Sequence, residues 1–133
     1  MRKLFLVVLM IAATFGAGLA QQGASSQEGA DNIPNMGRAP SQRDGLGRLD
    51  LRVVDENGNP LKGVRADLKS KRGDGFLCES WNWTDARGVA VLPPIHMGSL
   101  KLTLKAPGYQ TQKLEIAASS LSEPVRVTML RKN

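Results

Sequence analysis

Apolar and polar residues alternate with a period of two along the C-terminal part of the chain. Leu100, Leu102 and Leu104, for example, are separated by Lys101 and Thr103. Such alternation is typical of strands that bury one face in a core and expose the other to solvent. The pattern predicts seven short strands, at about residues 48–54, 62–69, 75–83, 88–92, 99–105, 109–116 and 124–130.

Turn-forming residues separate these segments at intervals of about 8–12 residues, as in antiparallel sandwiches and barrels. Asn57-Gly58 suits a tight hairpin. In the stretch TDARG, we expect Asp85 to accept hydrogen bonds from backbone amides and Gly88 to adopt a positive φ. A sheet exposed on one face needs a second layer on the other. The prediction is therefore all-β, a seven-stranded antiparallel β-sandwich.

The N-terminus has a different pattern. Arg2 and Lys3 precede the apolar run Leu4–Ala13, and small residues follow as far as Ala20. This order is typical of a secretory signal peptide, predicted here over residues 1–20. The apolar run is shorter than the roughly 20 residues that span a bilayer. We therefore expect a secreted or periplasmic protein without a membrane span once the signal peptide is removed.

Residues 21–47 contain five glycines, two prolines and almost no bulky apolar side chain. Such a segment buries too little surface to offset its conformational entropy. The composition predicts a disordered linker over 21–47, which leaves residues 48–133 as the folded domain.

The order of motifs within that domain resembles a known family. The motifs are LRVVDENGNPLKGV at 51–64, TDARG at 84–88, Pro-Pro-Ile at 93–95 and Pro-Gly-Tyr at 107–109. In this order they resemble the carboxypeptidase regulatory-like domains, over most of Leu49 to Leu130. The resemblance implies a prealbumin-like (transthyretin-like) β-sandwich with a non-catalytic role beside or between other domains, often in secreted and surface proteins. The chain departs from the family near Ala90 and Leu100, where an aromatic residue is usual.

Charge and composition narrow the function. The 133 residues include 18 Lys and Arg against 12 Asp and Glu, one His and one Cys. A single Cys excludes an internal disulfide, and a single His excludes a site that needs two imidazoles. Basic side chains fall mostly on the polar side of their strands, as on a solvated face, where they would also attract an anionic glycan or lipid surface. Nucleic acid is not an expected partner, because the predicted route is secretory and no aromatic–basic RNA motif is present.

Trp81 and Trp83 are two residues apart, so a regular strand turns both to one side. Both faces of this segment carry apolar residues, so the sequence leaves open which face is buried. Aromatic residues are commonly recruited to the core, and burial of one or both indoles is the simpler expectation. The alternative is an exposed platform for a sugar ring or a partner protein, with Tyr109 as a third member.

We expect a non-enzymatic binding or assembly module, with no catalytic residue, metal or cofactor, and a protein or cell-envelope glycan as partner. One alternative is a carbohydrate-binding module that uses Trp81, Trp83 and Tyr109. Another is a small transthyretin-like hydrolase around His96. The hydrolases of that fold use several His and Arg residues and a characteristic C-terminal tetrapeptide, whereas this chain ends Leu-Arg-Lys-Asn.

Overall fold

The computed structural model describes residues 32–133, so the predicted signal peptide lies outside the described residues. The described part contains nine strands and one short 3-10 helix, Ala118–Ser122, which confirms the all-β class. The strands are β1 (Leu46–Gly47), β2 (Asp50–Val54), β3 (Arg65–Lys71), β4 (Leu77–Trp83), β5 (Val89–Val91), β6 (Ile95–His96), β7 (Ser99–Lys105), β8 (Gln112–Ile116) and β9 (Val125–Thr128). Each of the seven predicted segments overlaps one of these strands, although β3 runs two residues beyond its predicted end, and β1 and β6 are additional.

Two sheets, ordered β5-β2-β9 and β4-β3-β7-β8, account for the seven longer strands, and β1 pairs with β6. All described pairings are antiparallel except one, because β2 and β9 run parallel. The expectation of a purely antiparallel sandwich is therefore wrong at this pair. Alternation determines which face a strand buries but not the direction of its neighbour.

One hydrophobic core draws on both sheets. Leu51 of β2, Leu68 of β3 and Leu102 of β7 are all fully buried in the same cluster. The alternating residues of β7 behave as the sequence predicts, with buried leucines between exposed or half-buried polar residues. The arrangement is sandwich-like, with the core between two layers.

The TDARG turn has the predicted conformation. Gly88 has a φ of +75°, and the Asp85 carboxylate accepts hydrogen bonds from the N–H groups of Arg87 (2.9 Å) and Val89 (3.1 Å). A Cβ atom at Gly88 would collide with the carbonyl oxygen of Val53. This turn therefore requires glycine both for its dihedral angle and for the close approach of β2.

The turn at Asn57-Gly58 also forms and is closed by an antiparallel bridge between Val54 and Pro60, but this pairing does not extend to β3. Gly58 has a φ of +85°, and the Asp55 carboxylate accepts hydrogen bonds from the N–H groups of Asn57 and Asn59, both at 2.9 Å. The strands on either side, β2 and β3, belong to different sheets. Local turn chemistry reverses the chain without deciding which strands pair.

The predicted linker 21–47 needs a correction at its C-terminal end. Residues 35–47 belong to a compact unit that spans Asn35–Asn133. Arg38 and Arg48 exchange two backbone hydrogen bonds of 2.9 Å, and β1 pairs with β6. Hydrogen bonds hold this segment, and Ala39 packs against the core. Composition carries no signal for such hydrogen bonds. Within residues 32–133, no helix has the length and apolar character required to cross a membrane.

Candidate functional site

The face of the four-stranded sheet that points away from the core carries an unusual set of side chains. The strand registers place alternate residues of β4, β3, β7 and β8 on this outer face. Its members are Leu77, Glu79, Trp81, Trp83, Arg65, Asp67, Lys69, Lys71, Ser99, Lys101, Thr103, Lys105, Lys113 and Glu115.

Both indoles lie on the outer face. Trp81 and Trp83 are each 50% exposed, so the expected burial of one or both in the core is wrong. The opposite side of β4 is held by polar groups. Ser80 Oγ donates a hydrogen bond to the Pro93 carbonyl (2.6 Å), and Asn82 Nδ2 donates one to the Val91 carbonyl (2.9 Å). These bonds tie the inner side of β4 to the end of β5 and the residues that follow it, and they leave the indoles outside.

Arg65 lies over both indoles. Its guanidinium carbon is 5.9 Å from the ring centroid of Trp81 and 5.1 Å from that of Trp83, distances typical of cation–π contacts. The pairing of β3 with β4 explains the contact, because Arg65 is directly opposite Trp83 and Asp67 is opposite Trp81. The three side chains form one cluster on adjacent strands.

The Asp67 carboxylate holds the arginine in place. Arg65 Nε lies 3.2 and 3.1 Å from the two carboxylate oxygens, and Nη2 donates a third hydrogen bond of 3.1 Å. The hydrogen bond to Asp67 raises the pKa of Arg65 above its ordinary value, against an opposing effect of desolvation. The guanidinium is therefore a permanent, oriented cation beside the two rings.

The structure does not place Tyr109 in this cluster. Tyr109 lies in the connection between β7 and β8, where it forms a β-bridge with Arg131. The Arg131 guanidinium is 5.2 Å from the centroid of its ring, and the half-buried ring packs against the core. The three aromatic residues proposed from the sequence thus divide into a Trp81–Trp83 pair and a separate tyrosine.

The outer face is also electropositive. It carries six basic residues, Arg65, Lys69, Lys71, Lys101, Lys105 and Lys113, against three acidic residues, Asp67, Glu79 and Glu115. Sequence reasoning identified the basic strand faces but missed Arg65 and Asp67 as neighbours of the indoles. The missing signal is the register between β3 and β4, which local patterns do not specify.

His96 is exposed and lies on the short strand β6. Its Nδ1 atom is bonded to the backbone carbonyl of Asp44 at 2.8 Å, so this nitrogen acts as the donor. In the part of the chain that the structure describes, no group of three or more His, Cys, Asp or Glu residues could hold a metal ion.

Comparison with known proteins adds a fold relationship only. No protein-family model and no curated protein matches the chain. Among solved structures, the fold is similar to that of 3-chlorocatechol 1,2-dioxygenase from Rhodococcus opacus 1CP, with a TM-score of 0.54 and 12% sequence identity. The match covers 73% of this chain and 64% of the dioxygenase chain. At this identity the similarity concerns the fold and not the chemistry.

Proposed function

We propose that this protein is a non-catalytic binding module whose outer face binds an acidic carbohydrate. The observation that carries the proposal is the exposed pair Trp81 and Trp83, which lie side by side on one face with Arg65 against both rings. Exposed apolar area of this kind is typical of an interaction surface.

The spacing of the indoles suits a chain of sugar rings. Residues two apart on a strand are separated by roughly 6–7 Å. Adjacent rings of one glycan chain can therefore each contact one indole. Indoles combine a large apolar surface with an N–H donor, which matches the mixed apolar and polar faces of a sugar.

Charge favours an acidic ligand over a neutral one. The six basic and three acidic side chains of the outer face produce a positive potential around the indoles. A carboxylate, sulfate or phosphate group on the glycan would form charge-assisted hydrogen bonds with lysine or arginine. Tyr109 is not part of the proposed surface, because its contacts are with Arg131 and the core.

The resemblance to carboxypeptidase regulatory-like domains and the leader-like N-terminus support a secreted or periplasmic location for this module. A glycan of the cell envelope is then the partner within reach. A protein partner on the same face is the alternative, and it would bind through the same indoles without requiring a sugar.

The experiment is a titration of the purified protein with alginate, a polyuronate, and with dextran, a neutral glucan, followed by tryptophan fluorescence. Alginate should quench the fluorescence, and binding should weaken as salt rises because salt screens exposed charges over about 8–10 Å. Trp81→Ala and Trp83→Ala should each weaken binding at least about tenfold. Phe76→Ala, which removes an aromatic side chain exposed to 58% outside the outer face, is the matched control. Equal binding by all variants, or binding of neither glycan, would contradict the proposal.

A further inference from the structure

Strand β4 forms one edge of the four-stranded sheet, and β3 is its sole strand neighbour within residues 32–133. Two backbone hydrogen bonds flank the β3–β4 ladder, Arg72 N–H to the Phe76 carbonyl (2.9 Å) and Thr84 N–H to the Val64 carbonyl (3.0 Å). The register between them is continuous, and bonded pairs recur at every second residue of an antiparallel ladder. Even-numbered residues of β4 therefore bond to β3.

The odd-numbered residues of β4 consequently turn their backbone groups away from β3. These groups belong to Leu77, Glu79, Trp81 and Trp83. The Trp83 N–H is bonded to Asn82 Oδ1 at 2.8 Å. The remaining N–H and C=O groups form a regular row along the open side of the strand, and such a row is a template for pairing with another extended chain.

The side chains of β4 do not protect this edge. Edge strands are commonly blunted by lysine, proline or a bulge, whereas Leu77–Trp83 has a regular register and Glu79 as its only charged residue. Of the seven large apolar side chains that are exposed in the described chain, four are on β4 or next to it, at Phe76, Leu77, Trp81 and Trp83. The opposite edge strand, β8, is different, because its most exposed residues are Lys113 and Glu115.

We propose that β4 pairs antiparallel with β4 of a second copy of this chain. The register that spans the whole strand centres on Ser80, and it places Leu77 opposite the second copy's Trp83 and Glu79 opposite the second copy's Trp81. The Trp83 N–H keeps its bond to Asn82 Oδ1, so at each end the Trp83 carbonyl alone joins the ladder. This register places residues whose backbone groups point away from β3 opposite residues of the same kind in the second copy, as an antiparallel ladder requires. It also brings apolar side chains together at both ends and keeps the two Glu79 residues from lying directly opposite each other.

Self-pairing has a consequence for the outer face. The two-fold axis of an antiparallel edge pair is perpendicular to the sheet, so both outer faces lie on the same side. The two four-stranded sheets join into one continuous sheet. Both indole pairs then line a single surface, which is long enough for one extended polymer to cross both copies. The pairing does not depend on the ligand and is measured without it.

The test is sedimentation velocity on the purified protein over a range of micromolar concentrations, without glycan. Leu77→Lys puts a charge on the most exposed apolar side chain of β4, at 67% exposure. Thr103→Lys adds the same charge to the same face on β7, an interior strand, and is the matched control. We expect a concentration-dependent dimer, weakened at least about tenfold by Leu77→Lys, equivalent to about 1.4 kcal/mol, and changed little by Thr103→Lys.

Amide hydrogen exchange locates the interface independently. The amides of Leu77, Glu79 and Trp81 should exchange more slowly as protein concentration rises, and circular dichroism should show that both variants remain folded. A monomer throughout the concentration range would overturn the inference, as would a dimer that both lysine substitutions affect equally. Protection of these three amides only after another protein is added would assign the edge to a different partner.

Discussion

Asp50 and Arg52, two residues apart on β2, form a buried ion pair. Arg52 Nε lies 2.7 Å from Asp50 Oδ1, and Arg52 Nη2 lies 2.9 Å from Asp50 Oδ2. Asp50 is fully buried and Arg52 is 6% exposed. The Met36 N–H donates a further hydrogen bond of 2.9 Å to Asp50 Oδ2. The segment before β1 is therefore tied to the central strand of the three-stranded sheet by a buried carboxylate.

Removing the carboxylate should destabilise the fold strongly. Asp50→Ala removes the carboxylate that accepts hydrogen bonds from Arg52 and from the Met36 N–H, and the loss of one member of a buried ion pair costs about 3–5 kcal/mol. Arg87→Ala is the control, because it breaks an exposed pair with Asp85 (2.8 Å) of the same two-residue spacing. Its cost should stay below about 1 kcal/mol. Urea unfolding measures both, and similar midpoints for the two variants would show that the buried pair contributes little.

The same pair makes stability dependent on pH. Burial alone would raise the pKa of Asp50, but hydrogen bonds from Arg52 and Met36, with the charges of Arg52 and Arg126, hold that pKa below its ordinary value of 3.8. A carboxyl with a lowered folded-state pKa stabilises the fold above its unfolded-state pKa, and this stabilisation disappears as the pH falls through the folded-state pKa.

We therefore expect the free-energy gap between the wild type and Asp50→Asn to be constant from pH 7 to about pH 5 and to narrow below about pH 4. Asp85 is present in both proteins, so the difference between the wild type and the variant reports the titration of Asp50 and not that of Asp85. Burial would raise the pKa of Asp85 as well, but hydrogen bonds from Arg87 and Val89 outweigh burial and lower that pKa. A gap that stays unchanged down to pH 2 would mean that folding does not lower the pKa of Asp50.

The TDARG turn should tolerate no side chain at its glycine. Gly88 and Gly58 both have positive φ, but a Cβ at Gly58 meets nothing within 4 Å, whereas one at Gly88 meets the Val53 carbonyl oxygen. Both alanine substitutions carry the dihedral penalty, of order 1–3 kcal/mol. Only Gly88→Ala adds the collision, so it should be the more destabilising by at least about 1 kcal/mol in urea unfolding. Equal midpoints for the two variants would contradict the close approach of β2.

The N-terminal boundary of the domain can be tested by truncation. The sequence alone predicted that residues 48–133 fold without residues 21–47. The backbone pairing of Arg38 with Arg48 and the bond from Met36 to Asp50 now predict the opposite. A chain that begins at Arg48 should melt more than about 5 °C below one that begins at Asn32, roughly 1 kcal/mol for a domain of this size. Equal melting temperatures for the two chains would instead support a domain that begins at residue 48.

The features that depend on near neighbours along the chain were predictable from the residues. Alternation of Leu100, Leu102 and Leu104 with polar residues predicted the buried face of β7, and the residues of TDARG predicted the positive φ of Gly88. Strand periodicity and turn chemistry act over a few residues, so they can be recognised without knowing the fold.

The features that depend on partners distant in sequence were not predictable in this way and follow from the fold. The parallel pairing of β2 with β9, the placement of Arg65 opposite Trp83 and the exposure of the indoles all follow from strand order and register. β4 carries apolar residues on both of its faces, so its pattern alone did not specify which side is buried. Ser80 and Asn82 donate hydrogen bonds to the carbonyls of Pro93 and Val91, and these bonds hold their side of β4 toward the interior. A one-residue shift in register would turn every side chain of the strand to the other face.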